Sequence, residues 1–265
     1  MGDFVGGLQA RRAPLAAVLL VSQVTGLVAL AVLVALRGKG APGFDHLWPA
    51  AAAGAAGVIA LGAFYRGLAI GTMSIVAPIS STGAAIPVAV GVATGDRPSA
   101  LQAAGVALSV VGVVLASREL DEEGRRPESA RRSVLLALVA AAGFGAFFVG
   151  MNRAAHSDVF WALLIQRSAS VAVAAAAVLV LRPAFAVPRG RLPVLAAVGA
   201  LDVSANALYA WASTEGLLSL VAVLGSLYPV VTVLLARAVL HERIRPIQDV
   251  GIAVALAGVL LIAGG

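Results

Sequence analysis

Long apolar runs recur along the chain, separated by short polar connections. A bilayer hydrocarbon core of about 30 Å needs about 20 helical residues at 1.5 Å each. Runs of this kind cover residues 13–36, 47–66, 74–94, 99–117, 133–151, 159–181, 192–212, 217–236 and 247–263. The only long polar interval is SRELDEEGRRPESARR, residues 117–132, which carries charges of both signs and divides the chain near its middle. The pattern predicts an all-α polytopic transmembrane helical bundle with nine complete spans.

Composition agrees. Hydrophobic residues make up 60% of the chain and charged residues 12%, and the mean hydropathy is +0.98. A soluble domain has about 45–50% apolar and about 25% charged residues, so a water-soluble fold is excluded. Aromatics are only 5%; the apolarity comes from Ala, Val, Leu and Gly, which let helix backbones approach closely in lipid. The net charge of +6 comes from arginines scattered through the connections, with no basic face interleaved with aromatics, so no nucleic-acid partner is implied. The absence of cysteine excludes disulfides, thiolate catalysis and Cys-based metal sites. Arg11 and Arg12 before APLAAVLLVSQV look like a twin-arginine export signal, but the apolar run is too long and many spans follow, so a membrane helix is expected there.

The chain also resembles itself. SIVAPISSTGAAIPVAVGVATGDRPSALQAAGVALSVVGVVLA, from Ser74, parallels SLVAVLGSLYPVVTVLLARAVLHERIRPIQDVGIAVALAGVLLIA, from Ser219, at an offset of about 145 residues with one gap. Asp96-Arg97 falls on Glu242-Arg243, Gln102 on Gln248, Gly105 on Gly251 and Gly112 on Gly258. Carried backwards, the match sets FVGGLQARRA, from Phe4, beside FVGMNRAAHS, from Phe148, which ends a full span. The first half is therefore expected to own a tenth helix whose start is missing, with Met1 inside it. An odd number of spans between equivalent helices inverts one half relative to the other. Two inverted five-helix repeats follow, residues 1–117 and 133–265, joined by a polar linker at 118–132.

At this point the residues resemble the EamA-type transporters of the drug/metabolite transporter superfamily. The strings that carry the resemblance are FVGGLQARRAP, YRGLAIGTMSIVAPI, GDRPSALQAAGVAL, ALDVSANALYAWASTEGLLSLVAVLGSLYPVVTVLLA and LHERIRPIQDVGIAVALAGVLL. The resemblance implies ten helices in two repeats and a secondary transporter, an exporter of small metabolites or drug-like solutes in a bacterial-type cell membrane.

Candidate site residues are those that a bilayer makes expensive. Arg167 lies about nine residues into its span, roughly 13 Å deep, where a charge costs about 2.5–3.5 kcal/mol on insertion scales. Asp202 lies at similar depth with opposite sign, and Asn206 and Tyr209 follow it at i+4 and i+7 on one helix face. Gln166 adds an amide beside Arg167. These five read as polar points of a solute cavity, or as a structural ion pair and interhelical hydrogen bonds. Proton coupling through Asp202 is a further reading, opposed by the arginine, which would keep a paired carboxylate ionised. Asp3 is another candidate, at the chain end, while Tyr65 and Arg66 are expected to end their helix, with Arg66 snorkelling to the interface. Trp48, Trp161 and Trp211 read as interfacial anchors.

Pro78, Pro87 and Pro229 fall within two corresponding helices and predict breaks there, either at a binding site or as ordinary kinks. Ser80, Ser81 and Thr82 beside Pro78, and Ser226 beside Pro229, would satisfy freed backbone groups or face the cavity. GKGAPG, from Gly38, matches a phosphate-loop pattern only literally, since no βαβ unit surrounds it. His46, His156 and His241 are placed in connections. No HExxH, Ser-His-Asp or paired-carboxylate arrangement points to catalysis, and no cofactor or metal is implied. The positive-inside rule puts the arginine-rich connections, those with Arg11, Arg12, Arg66 and Arg182 among them, in the cytoplasm and the C-terminus outside, whereas the resemblance implies both termini inside. The residues thus predict a transporter whose partners are a small solute and the lipid bilayer, with a non-transporting membrane bundle as the alternative. They do not set the oligomeric state.

Overall fold

A computed structural model describes residues 2–71, 73–116, 127–186, 189–225, 227–240 and 246–264. These residues form twelve α-helices and no strand: α1 Gly2–Ala10, α2 Leu15–Arg37, α3 Phe44–Ile70, α4 Met73–Ser81, α5 Ala85–Thr94, α6 Ala100–Ala116, α7 Pro127–Ala155, α8 Val159–Leu181, α9 Leu192–Glu215, α10 Leu218–Gly225, α11 Tyr228–Leu240 and α12 Pro246–Gly264. Five helices, α2, α3, α7, α8 and α9, are long and apolar enough to cross a bilayer. Exposed Leu, Val, Ile and Trp side chains line the outside of the bundle, the arrangement expected where the surrounding solvent is lipid.

The helix ends follow from local chemistry. Pro14 precedes α2 and Gly38 ends it in the left-handed region at φ 60°, with its N–H on the Ala35 carbonyl. The Asp158 carboxylate caps α8 by accepting from the Phe160 and Trp161 N–H groups at 2.9 and 3.0 Å. The same carboxylate takes both terminal nitrogens of Arg37, at 2.9 and 3.1 Å, so the end of α2 is tied to the start of α8. Arg37 also lies over the Phe160 ring, 4.0 Å from its centroid.

Two predicted spans are each in two pieces. Residues 74–94 divide into α4 and α5 around a single 3₁₀ turn, Thr82–Ala84, and residues 217–236 divide at Gly225 before α11 begins at Tyr228. The breaks correspond in the two halves, but the prolines act differently from expectation. Pro87 is the third residue of α5 and Pro229 the second of α11, first-turn positions where the missing N–H has no intrahelical acceptor to lose. They start the second segments, and of the three only Pro78 lies beyond the first turn of its helix, α4. α3 runs a turn beyond Tyr65 and Arg66. His46 sits in the first turn of α3, so it is not in a connection, and His241 lies outside the described residues.

The packing repeats across the chain. α3 packs on α7 and α8 as α9 packs on α1 and α2; α4 meets α11 as α10 meets α5; α2 pairs with α8 and α6 with α12. Close approaches repeat as well: a Cβ on Gly54 of α3 would fall 2.0 Å from the Gln166 carbonyl of α8, and one on Gly199 of α9 would fall 2.2 Å from the Ser22 carbonyl of α2. Two large apolar clusters result, beside a small one around Ala84 and Val223. Of the large ones, one gathers Phe4, Val18, Phe64, Leu68, Ala137 and Leu195; the other gathers Leu30, Ala53, Phe147, Met151, Leu163 and Ala210.

Gly54→Ala and Gly199→Ala should each destabilise the bundle by about 1–3 kcal/mol through overpacking, whereas Gly62→Ala, whose Cβ meets only Leu19 at 3.4 Å, should leave thermal unfolding in detergent nearly unchanged. Equal melting temperatures for all three would contradict the close approaches. The hydrogen bonds from Arg37 hold the Asp158 carboxyl below its ordinary 3.8, outweighing its partial burial, and the capped backbone N–H groups add to the lowering. A carboxyl whose pKa falls on folding stabilises the fold above its unfolded value and loses that contribution as pH drops through the folded one. Asp158→Asn keeps a capping side chain, so its melting-temperature deficit at neutral pH should narrow below the ordinary carboxylate range. A deficit that widened on acidification would contradict the pair.

Candidate functional site: a mid-membrane cavity around a buried arginine

A cavity of about 440 Å³ lies among α1, α2, α3 and α7 to α11, and both large apolar clusters reach its wall. Its polar points are Asp3, Gln23, Gln166, Arg167, Ser170, Asp202 and Asn206; its apolar wall includes Val58, Leu61, Phe144, Phe147, Phe148, Val221 and Leu224, with Tyr209 and Tyr228.

Arg167 organises the polar side. It is 1% exposed and projects from the middle of α8. One terminal nitrogen, Nη1, contacts Asp202 Oδ2 at 2.6 Å and donates to Gln23 Oε1 of α2. Arg167 Nε and Nη2 and Gln166 Oε1 are buried and have no hydrogen-bond partner. Each orphaned group costs about 1–3 kcal/mol, more where charged. The Asp202 side chain is 24% exposed, so the pair is dry on the arginine side and open to the cavity on the carboxylate side.

The remaining polar groups are held partly within their own helix and partly by neighbouring ones. Gln166 Nε2 donates to Ser170 Oγ at 3.0 Å, and Ser170 Oγ donates to the Gly54 carbonyl at 2.8 Å, at the point where α3 and α8 approach most closely. Asn206 Nδ2 reaches Asp202 Oδ2 at 3.4 Å, at the long limit of a hydrogen bond. The Tyr209 hydroxyl donates to the Phe148 carbonyl at 2.9 Å, and the two rings lie 4.6 Å apart. Tyr228 meets Phe64 and Phe144 edge-on, with centroids 5.6 and 6.2 Å away.

The structure thus brings Arg167, Asp202, Asn206, Tyr209 and Gln166 to one cavity. Ser80 does not line it. Fully buried, Ser80 donates to the Ala77 carbonyl at 2.7 Å and shares a hydrogen bond with the Tyr228 hydroxyl, which does face the cavity. Ser226 lies outside the described residues, between the lining residues Gly225 and Tyr228. Pro87 does not line the cavity, and the side chains of Pro78 and Pro229 lie outside those described; among the described residues the second broken helix borders the cavity and the first does not. Asp3 does line it. Tyr65 is buried and Arg66 exposed, the latter as a snorkelling side chain would be.

The reading of the sequence missed two polar lining residues, Ser170 and Gln23. For the second a signal was present: Gln23 and Arg167 stand 144 residues apart, the offset that relates Phe4 to Phe148. Equivalent positions of α2 and α8 therefore touch. Asp202→Asn strands the guanidinium and should lower the melting temperature in detergent more than Arg167→Met combined with Asp202→Asn, which removes both charges. Breaking one side of a buried pair costs about 3–5 kcal/mol, while replacing both partners is often near neutral. A double variant less stable than Asp202→Asn would contradict that account.

Residues 131–264, just over half of the chain, match the model of the EamA-like transporter family. Comparison with curated proteins gives no match. The structure is similar to a solved one titled "Crystal structure of protein", with a TM-score of 0.68 over 97% of this chain and 92% of that chain at 18% identity; at that identity the likeness is one of fold. The family match covers the second half, where the arginine, the aspartate and most of the cavity wall reside, and the chain accordingly belongs to the EamA-like transporter family of the drug/metabolite transporter superfamily and is a multi-pass membrane protein.

Proposed function

We propose that this protein is a secondary transporter that exports a small metabolite or drug-like solute by alternating access between two inverted five-helix repeats, residues 1–117 and 133–265, joined by the linker 118–132. The single observation that carries the reading is the cavity of about 440 Å³ whose wall draws on both halves and holds the Arg167–Asp202 ion pair. A bundle serving only structure gains nothing from a cavity there, since each cavity forfeits packing, and nothing from orphaned polar groups beside it. A solute passing through receives an aromatic, mainly apolar wall with the polar points Arg167, Asp202, Asn206, Tyr209 and Gln166. Ser80 acts behind Tyr228, and Ser226 is a further polar group offered to the solute. The breaks at Thr82–Ala84 and after Gly225 let the segments on either side tilt separately, the motion that alternating access requires.

Asp202, in contact with Arg167 at 2.6 Å, is the carboxylate through which proton coupling would run. The test is flux in proteoliposomes, with and without a pH gradient, screening amino acids, nucleosides and drugs. Arg167→Met and Tyr209→Ala should each reduce flux of the identified solute at least tenfold while the purified variants remain monodisperse. Asp202→Asn should abolish acceleration by the gradient if the proton rides on this carboxylate; unchanged coupling would refute that part alone. Absence of flux for every solute class, with the protein folded and incorporated, would favour the non-transporting bundle.

A further inference from the structure

A second cavity, of about 510 Å³, lies between α2, α3 and α8 and is lined by apolar residues, among them Leu15, Leu19, Gly62 and Ala177. Ile59, Ala177 and Leu181 in its lining are exposed, so it is a groove in the outer surface of the bundle. On α8 the lining runs from Val173 to Leu181, about 12 Å of helix, close to the depth of one leaflet of a core of about 30 Å.

The groove has a defined polar end. Arg37 at the end of α2 is bonded to Asp158 at the start of α8, so the start of α2 and the end of α8 share the opposite side of the membrane. α3, joined to the end of α2 by a short connection, also finishes there. Exposed arginines at that end include Arg12, two residues before Pro14, Arg66, one turn beyond Ala63, and Arg182, between Leu181 and Pro183, while Arg11 donates to the Leu68 and Gly71 carbonyls. No acidic residue occurs in the stretches that supply the groove and its rim, 11–19, 58–71 and 173–186. An apolar slot of leaflet depth ending in three guanidinium groups complements one kind of molecule: an acyl chain with an anionic head group.

We propose that this groove binds an anionic phospholipid, with one acyl chain between α2, α3 and α8 and its phosphate among Arg12, Arg66 and Arg182. The proposal requires only that the chain spans a bilayer. Val58 lines both the groove and the central cavity, so the inner end of the lipid chain packs against the wall of the cavity, and lipid composition acts on the site through that side chain.

Native mass spectrometry of the detergent-purified full chain tests this with phosphatidylglycerol, phosphatidylcholine and inorganic phosphate, alongside thermal unfolding. Phosphatidylglycerol should bind and stabilise in preference to phosphatidylcholine, and inorganic phosphate should neither stabilise the protein nor displace the lipid. Replacing Arg12, Arg66 and Arg182 with Gln should weaken binding about fivefold per arginine. Ala177→Phe, at an exposed position of the groove, should reduce occupancy by both lipids while the arginines remain. Equal binding of the two lipids, displacement by phosphate, or phosphatidylglycerol binding unchanged in Ala177→Phe would each overturn the proposal. The last outcome keeps it falsifiable even if the arginine variant fails to fold.

Discussion

A guanidinium that is 1% exposed halfway along a membrane-spanning helix sets the terms for everything packed around it. The bilayer offers it no water, so the protein must supply counter-charge and acceptors from other helices. Asp202 of α9 supplies the charge and Gln23 of α2 the acceptor, and this fixes the rotation of three helices about their own axes. The compensation is incomplete, with Nε and Nη2 left without partners. A site that binds and releases solute can tolerate that deficit, because a fully satisfied network would compete with the solute.

Small residues make the compensation geometrically possible. Gly54 and Gly199 bring α3 onto α8 and α9 onto α2 close enough that a methyl group would collide with a backbone carbonyl, and the hydrogen bond from Ser170, which itself accepts from Gln166, crosses at the first of these contacts. The same four helices carry Gln23, Val58, Arg167 and Asp202 to the cavity. Packing and chemistry are therefore one arrangement, and its near-duplication in the two halves follows from the repeat in the sequence.

What the sequence disclosed depended on how bilayer physics weights each residue. Helices were legible because twenty apolar residues in a row have few alternatives in a bilayer, and Arg167 and Asp202 were legible because a charge in such a run is costly enough to need a partner. Gln23 was not, since a lone amide among apolar residues costs less; only the repeat offset links it to Arg167. For Ser80 the sequence left two readings open, backbone satisfaction or a cavity face, because a serine beside a proline can do either; here it donates to the Ala77 carbonyl and holds Tyr228. Pro87 and Pro229 stand at the start of the second segments of the two broken helices, a placement that sequence spacing did not reveal. The aromatic wall from Phe144 to Phe148 escaped notice because phenylalanines in a membrane span carry no distinguishing cost.

The central claim is that one mid-membrane cavity is reached alternately from the two sides. The chain contains no cysteine, so a single Ala205→Cys in the cavity wall is a clean reporter. Impermeant thiol reagents should label it in sealed, oriented vesicles from either side, with the identified solute shifting the balance between the two rates. Labelling from one side only, unchanged by solute and by a gradient, would contradict alternating access.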